Sequence, residues 1–288
     1  MSHRGSVIST LTRSFVVSLA VAVALLGAAA PVWARSTPPS TSPSTTGNDI
    51  SYPQCGKSFP TGQAFGIVGV NGGLANTPNP CLGEYKGGPA TSELYWASGS
   101  SGSPKLPQVA LYVNTADPGP VPGVTDWPTT GTNADGSCNG SDSPACAWQY
   151  GWNRAIQDMA WLVAAATPMP GVANTASAYR WWLDVETANS WETGSSGLAN
   201  NVADLQGMVA AFTAQGAAVG IYSTTYQWGQ ITGGSTAGNL PGLTGLNDWI
   251  PGARSLSAAK SNCALTGFTG PVTITQWFGK PYDGDWAC

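Results

Sequence analysis

The clearest chemistry lies in one short segment near the middle of the chain, Trp181-Trp182-Leu183-Asp184-Val185-Glu186-Thr187. Its apolar, β-prone residues read as a strand that ends in two acids. Side chains at i and i+2 share one face of a strand, so Asp184 and Glu186 point one way while Leu183 and Val185 point the other. Two strand residues advance about 6.6 Å. Carboxyls held that close raise one pKa, and a protonated acid beside an ionised one is what glycosidic cleavage needs. Asp49 is a second candidate, in Gly47-Asn48-Asp49-Ile50-Ser51-Tyr52-Pro53-Gln54, where Ser51 shares its face. Asp283-Gly284-Asp285, after Thr275-Gln276-Trp277, is the third. Taken singly, an acid near a domain start is commonly a cap, and an Asp-Gly-Asp turn a solvated loop.

Composition narrows what these acids can do. The 288 residues carry 11 Lys+Arg, 15 Asp+Glu and a single histidine, His3, for a formal charge of −4. His3 falls in a segment that reads as a secretory signal over residues 1–34. Arg4 and Arg13 are its positive region, Phe15 to Ala30 its apolar run, and Val32-Trp33-Ala34 its cleavage signature. An uncleaved anchor is the alternative, since 16 residues approach the roughly 17 that span a bilayer. The mature chain would hold 9 Lys+Arg against 15 Asp+Glu and no histidine. That excludes Ser-His-Asp and Cys-His triads and histidine-containing zinc sites. The acidic balance argues against nucleic-acid binding, which needs a basic stripe. General acid–base work therefore falls mainly to Asp and Glu, and no metal or organic cofactor is required.

All 6 cysteines lie beyond the signal, and an even count in an oxidising compartment favours disulfides. Local pairing would join Cys55–Cys81, Cys138–Cys146 and Cys263–Cys288, one of the fifteen arrangements open to six cysteines. No Cys-x-x-Cys spacing suggests a metal instead.

The elements that would position the acids follow from periodicity. Residues 35–46 are Ser/Thr/Pro-rich and read as a linker. Residues 47–288 form one domain, near the roughly 250 residues of a β/α barrel. Strand-like runs occur at Asn48–Tyr52, Phe65–Val70, Val109–Asn114, Trp181–Val185 and Val219–Ser223. Helical spacing links Trp148, Trp152, Ile156, Met159 and Val163, and again Leu198, Val202, Leu205, Met208 and Phe212, with Ser195 or Ser196 as a cap and Gly216 as a stop. A shorter helix is expected around Ser92–Ala97. The last 65 residues show strand signals but no strong helical pattern, so regular β/α units should give way to a strand-rich closure. The Pro/Gly/Asp-rich stretch 117–147 reads as an insertion able to wall the site. Trp182, Trp191, Trp277, Tyr112 and Tyr222 fall at or just after strand ends, where rings could stack on sugars or pack the core.

These segments, in this order, resemble glycoside hydrolase family 25, the lysozyme-like N-acetylmuramidases. The resemblance rests on Gly47, Asp49, Ser51 and Gln54; on Leu183-Asp184-Val185-Glu186; on Gly220-Ile221-Tyr222-Ser223; on Trp249-Ile250; and on Gln276-Trp277 with Asp285. It implies a single-domain (β/α)5(β)3 barrel, TIM-like, that hydrolyses the β-1,4 bond between N-acetylmuramic acid and N-acetylglucosamine. Carried over, Glu186 is the general acid and Asp184 supports the positive centre or the acetamido group. Asp49 and Asp285 line the opposite wall, with Asp283 the alternate for Asp285. Tyr112, Trp182, Tyr222, Gln276 and Trp277 would contact substrate. The chain departs from the family at Val70-Asn71-Gly72-Gly73, where an acid is usual, and at Leu111-Tyr112-Val113-Asn114, where a histidine is usual. The expectation is a secreted, monomeric glycosidase of peptidoglycan or a related polysaccharide; the alternative is a catalytically inactive glycan-binding barrel.

Overall fold

The computed structural model of the protein describes residues 45–73, 75–234 and 240–288. The expected signal 1–34 and nearly all of the linker lie outside the described residues, while Thr46 already belongs to the first strand. In chain order the elements are β1 (Thr46–Ile50), β2 (Phe65–Gly69), α1 (Glu93–Ser98), β3 (Val109–Asn114), β4 (Gly131–Asn133), β5 (Gly136–Cys138) and α2 (Pro144–Ala166). They continue with β6 (Arg180–Asp184), α3 (Gly194–Ala214), β7 (Ala218–Tyr222), α4 (Thr225–Thr232), β8 (Asn247–Ala253), α5 (Leu256–Asn262), β9 (Val272–Trp277) and β10 (Asp283–Ala287).

Eight strands close a barrel in the order β1-β10-β9-β8-β7-β6-β3-β2. Neighbours from β1 through β9 run parallel, and β10 enters antiparallel to both β9 and β1. The expected barrel is therefore present, with one shift. Only a short 3-10 turn, Tyr52–Gln54, follows β1, and the five helices come after the second to sixth barrel strands. The sequence reading missed α4 and α5. Both are short and polar: α5 buries only Ala259, and α4 only Trp228, Ile231 and Thr232. Hydroxyl caps begin them, with Thr224 accepting from the Gln227 amide and Ser255 from the Ala258 amide.

Alternation splits the apolar residues between two compartments. Phe65, Ile67, Ala110, Trp182, Trp249 and Ile274 fill the barrel interior, while Val68, Leu111, Val113, Leu183, Val185 and Ile221 face the helices. On α3 the expected Leu205, Met208 and Phe212 are buried, and on α2 Met159 is, but the rest of the α2 stripe packs differently. Ile156 and Val163 are exposed, and Trp148 and Trp152 stack on one another half-buried. The buried face of α2 runs instead through Ala147, Gly151, Ala155, Leu162 and Ala166. Small residues win because the helices nearly touch. A Cβ on Gly151 would sit 2.0 Å from the Asp204 carbonyl oxygen, and one on Gly207 2.0 Å from that of Trp148. Helix α3 starts at Gly194 after Thr193, a little before the expected cap. It stops at the expected Gly216, whose φ of +74° suits glycine.

The three disulfides are the local ones, Cys55–Cys81, Cys138–Cys146 and Cys263–Cys288. Cys138–Cys146 fastens the β4–β5 hairpin of the insertion to the start of α2. Among the described residues no helix is long and apolar enough to cross a membrane.

Candidate active site

At the C-terminal ends of the parallel strands, where barrel enzymes place their chemistry, the barrel opens into a hollow lined by four acids. Asp184 ends β6, and the chain stays extended through Val185, whose amide donates to the Tyr222 carbonyl at 2.9 Å. This carries Glu186 to the same hollow as Asp184, as the i, i+2 spacing requires. Asp49 faces them from β1, and Asp283, at the start of antiparallel β10, lies opposite Asp49 in register. Tyr112 of β3, Tyr222 of β7, Trp249 of β8 and Gln276 of β9 complete the lining.

A hydrogen-bonded chain sets the far wall. The Tyr222 hydroxyl donates to Gln276 Oε1 at 3.1 Å, and Gln276 Nε2 donates to Asp49 Oδ2 at 2.9 Å. The near wall is held through the loop after β6. Gln227 of α4 donates from Nε2 to Glu186 Oε1 at 3.3 Å, and its Oε1 accepts from the Thr187 amide at 2.7 Å. The Trp191 indole donates to the Glu186 carbonyl at 2.9 Å. Trp191 thus fastens the loop after β6. The floor is aromatic: Trp249 meets Tyr222 edge-on at 4.5 Å and Trp182 at 5.8 Å. Gly69 makes room here, since a Cβ would meet Ser51 Oγ at 2.5 Å and Tyr112 Cζ at 2.8 Å.

Burial dominates the electrostatics. It pushes Asp184 well above the usual carboxylate range, and the nearby charges of Glu186 and Asp49 push the same way. Asp49 is raised to about 6, mainly by burial. The Gln276 bond partly offsets this, and the charge of Asp283 adds to it. Asp285 is raised well above its ordinary value by burial and by Asp49. The carboxyl that burial and repulsion favour as protonated on β6 is therefore Asp184, one place below the more open Glu186.

The structure brings together Asp49, Asp184, Glu186, Tyr112, Tyr222 and Gln276. It leaves three of the expected residues out of the lining. Asp285 lies wholly buried, paired in register with Gln276 and Gly47, and Asp283 takes the lining position instead. The two acids share the inward face of β10, and Asp285, opposite Gly47, lies one pleat deeper than Asp283, so only Asp283 reaches the mouth. Trp182 is fully buried in the barrel interior, one strand pleat below Asp184. Trp277 is half-buried on the face of β9 opposite Gln276, its ring resting where a Cβ on Gly284 would lie. Gln227 and Trp249 were missed as site residues. Trp249 carried a signal in its Trp-Ile strand; Gln227 carried none, because its helix is too short and polar to show.

In the two segments that depart from the family pattern, Asn71 and Asn114 bind each other. Asn71 Oδ1 accepts from the Asn114 amide at 2.8 Å, and Asn71 Nδ2 donates to the Asn114 carbonyl at 3.0 Å. They tie the ends of β2 and β3 together. The 117–147 insertion lends no residue to the lining of the carboxylate hollow; its Gly123, Val124, Thr125 and Asp126 meet Asn189 and Ser190 of the loop after Glu186 around a separate hollow. Among the described residues Cys55, Cys81 and Glu93 lie close enough to share a cation, but both sulfurs are spent in a disulfide.

A family model described as lysozyme-like protein 1 matches residues 172–241, the stretch that carries both β6 acids, α3 and Tyr222. Over this segment the chain is similar to that family. A probable GH family 25 lysozyme 2 of Dictyostelium discoideum is 40% identical over 58 residues, 20% of this chain. The match spans about a quarter (26%) of that relative's length. A crystal structure of the bacterial lysozyme from Streptomyces coelicolor aligns with 84% of this chain and 91% of its own, at 12% identity and a TM-score of 0.46. The lysozyme-like segment thus coincides with the β6 carboxylates and the strand that faces them.

Proposed function

We propose that this protein is an exported glycosidase that hydrolyses β-1,4 bonds of peptidoglycan or a related cell-wall glycan. The observation that carries the reading is the convergence of Asp49, Asp184, Glu186 and Asp283 on one sugar-sized mouth with an aromatic floor. Glu186 is the most open of the β6 acids and donates a proton to the leaving glycosidic oxygen. Asp184 beneath it, whose proton burial favours, donates a hydrogen bond that orients the substrate's acetamido group, and water completes the hydrolysis. Asp49, held by Gln276, and Asp283 form the opposite wall. Three disulfides and a lysozyme-like central segment support action outside the cytoplasm.

Clearing of purified peptidoglycan tests this. Wild type should clear the suspension, and Glu186→Gln, which keeps shape but cannot donate an acidic proton, should lose about 100-fold or more of the rate. Equal clearing by both removes Glu186 from the mechanism. Retention on the wall without clearing by either assigns the barrel to glycan binding alone.

A further inference from the structure

Large exposed side chains scattered singly over a surface need no explanation, but three exposed rings here share one end of the barrel. Tyr226 is 72%, Phe278 62% and Tyr52 44% exposed. Each follows closely on the C-terminal end of a parallel strand: Tyr52 after β1, Tyr226 after β7 and Phe278 after β9. Those ends frame the carboxylate hollow. In the closed order β1 and β9 flank β10, whereas β7 stands on the other side of the mouth, next to β6 and its acids.

The backbone under each ring is pinned. Tyr52 sits in a turn where the Ser51 amide donates to Gln54 Oε1 at 3.0 Å and Cys55 is bridged to Cys81; its hydroxyl lies over Gly73. The Phe278 amide donates to the Ala253 carbonyl at 3.0 Å, and the Gly279 amide to Asp283 Oδ1 at 2.9 Å. Tyr226 immediately precedes Gln227, which holds Glu186 and Thr187. Rings on a fixed backbone lose little freedom when a ligand arrives. Their flat apolar faces match the C–H faces of pyranose rings, and their edges leave sugar hydroxyls in water. The protein's net charge of −4 offers no general attraction for an anionic wall polymer, so neutral stacking suits such a ligand better than charge.

We infer that Tyr52, Tyr226 and Phe278 are stacking platforms for sugars flanking the cleaved bond, so that the protein grips a β-1,4 glycan several residues long. The inference rests on the glycosidase reading of the mouth and adds the subsites that hold the rest of the chain.

Binding and cleavage separate the two claims. Binding of β-1,4 N-acetylglucosamine oligomers and of purified peptidoglycan is measured with the Glu186→Gln protein, with and without Tyr52→Ala, Tyr226→Ala and Phe278→Ala. Each ring removed should weaken hexasaccharide binding about three- to tenfold and leave disaccharide binding unchanged. Phe278→Leu, which keeps apolar volume without a flat face, should weaken it like alanine. The losses should be the same from about 0.05 to 0.5 M salt. In the protein with Glu186 intact, the triple alanine should raise KM for the hexasaccharide with little change in kcat. Hexasaccharide binding unaffected by the triple alanine, with thermal stability retained, overturns the inference. So does an affinity that falls with salt and with loss of the exposed Arg254 and Lys280, which assigns the grip to charge. A loss seen only on peptide-bearing wall assigns the rings to peptide and likewise overturns it. If Glu186→Gln cleaves like wild type, the reading of the mouth fails whatever the rings do.

Discussion

The individual carboxyls carry opposite costs for stability and function. Asp49 has an ordinary pKa near 4 in an unfolded chain and about 6 in the fold. Below the lower value both states hold the proton; between the two, only the folded state does. Stability therefore falls as pH rises through that window, and Asp184, raised in the same direction, adds to the fall. Asp49→Asn and Asp184→Asn cannot ionise, so both should melt higher than wild type at pH 7, by about 2–4 °C per kcal/mol recovered. The gap should close toward pH 4. A thermal scan of each variant across pH checks this, and melting points that separate at low pH rather than high contradict it. Gln227 acts through Glu186. Gln227→Ala should lower kcat about tenfold with KM and the melting point nearly unchanged, whereas a purely structural role would lower the melting point and leave kcat of the folded protein in place.

At the scale of elements, the tightest constraint is the contact of α2 with α3. Gly151→Ala would drive a methyl into a backbone carbonyl 2.0 Å away, with no flexible side chain to yield. The expected loss is about 3 kcal/mol or more, read as a lower midpoint in chemical denaturation; an unchanged midpoint contradicts the packing described. The same contact explains why the sequence misled. Hydrophobic periodicity selected Ile156 and Val163, but the close face of a helix is marked by what is missing, glycine and alanine, which carries little hydropathy. Strands were far more legible. Val109–Asn114 and Val272–Trp277 were placed to the residue, because β-rich runs bounded by turns leave few alternatives. Helices α4 and α5 escaped because caps and a handful of buried residues hold them, and Gln227 was lost with its helix. At the site, Asp184 and Glu186 were readable from two-residue alternation within one strand. The choice between Asp283 and Asp285 needed the antiparallel register of β10, and Trp182 and Trp277 needed their level and face in the barrel wall.

On the scale of the whole molecule, the site exists only because the barrel closes. Asp49 lies on the first strand and Asp283 on the last, and the β1–β10 pairing sets them opposite one another. Cys263–Cys288 anchors the end of that last strand across 25 residues, and by loop-closure entropy such a bridge is worth about 3 kcal/mol. Replacing both cysteines by serine should lower the melting point and reduce activity in parallel, since fraying of β10 disperses the acids; full activity at an unchanged melting point contradicts that dependence. The central claim, that acids gathered by closure break a glycan bond, is tested most directly by the chemistry of the product. Purified peptidoglycan is incubated with wild type and with Glu186→Gln, and the soluble fragments are characterised by mass spectrometry after borohydride reduction. New reducing ends on N-acetylmuramic acid should form with wild type and fall to background with Glu186→Gln. Wild-type protein that is folded and wall-bound yet releases no new reducing ends of any sugar contradicts it.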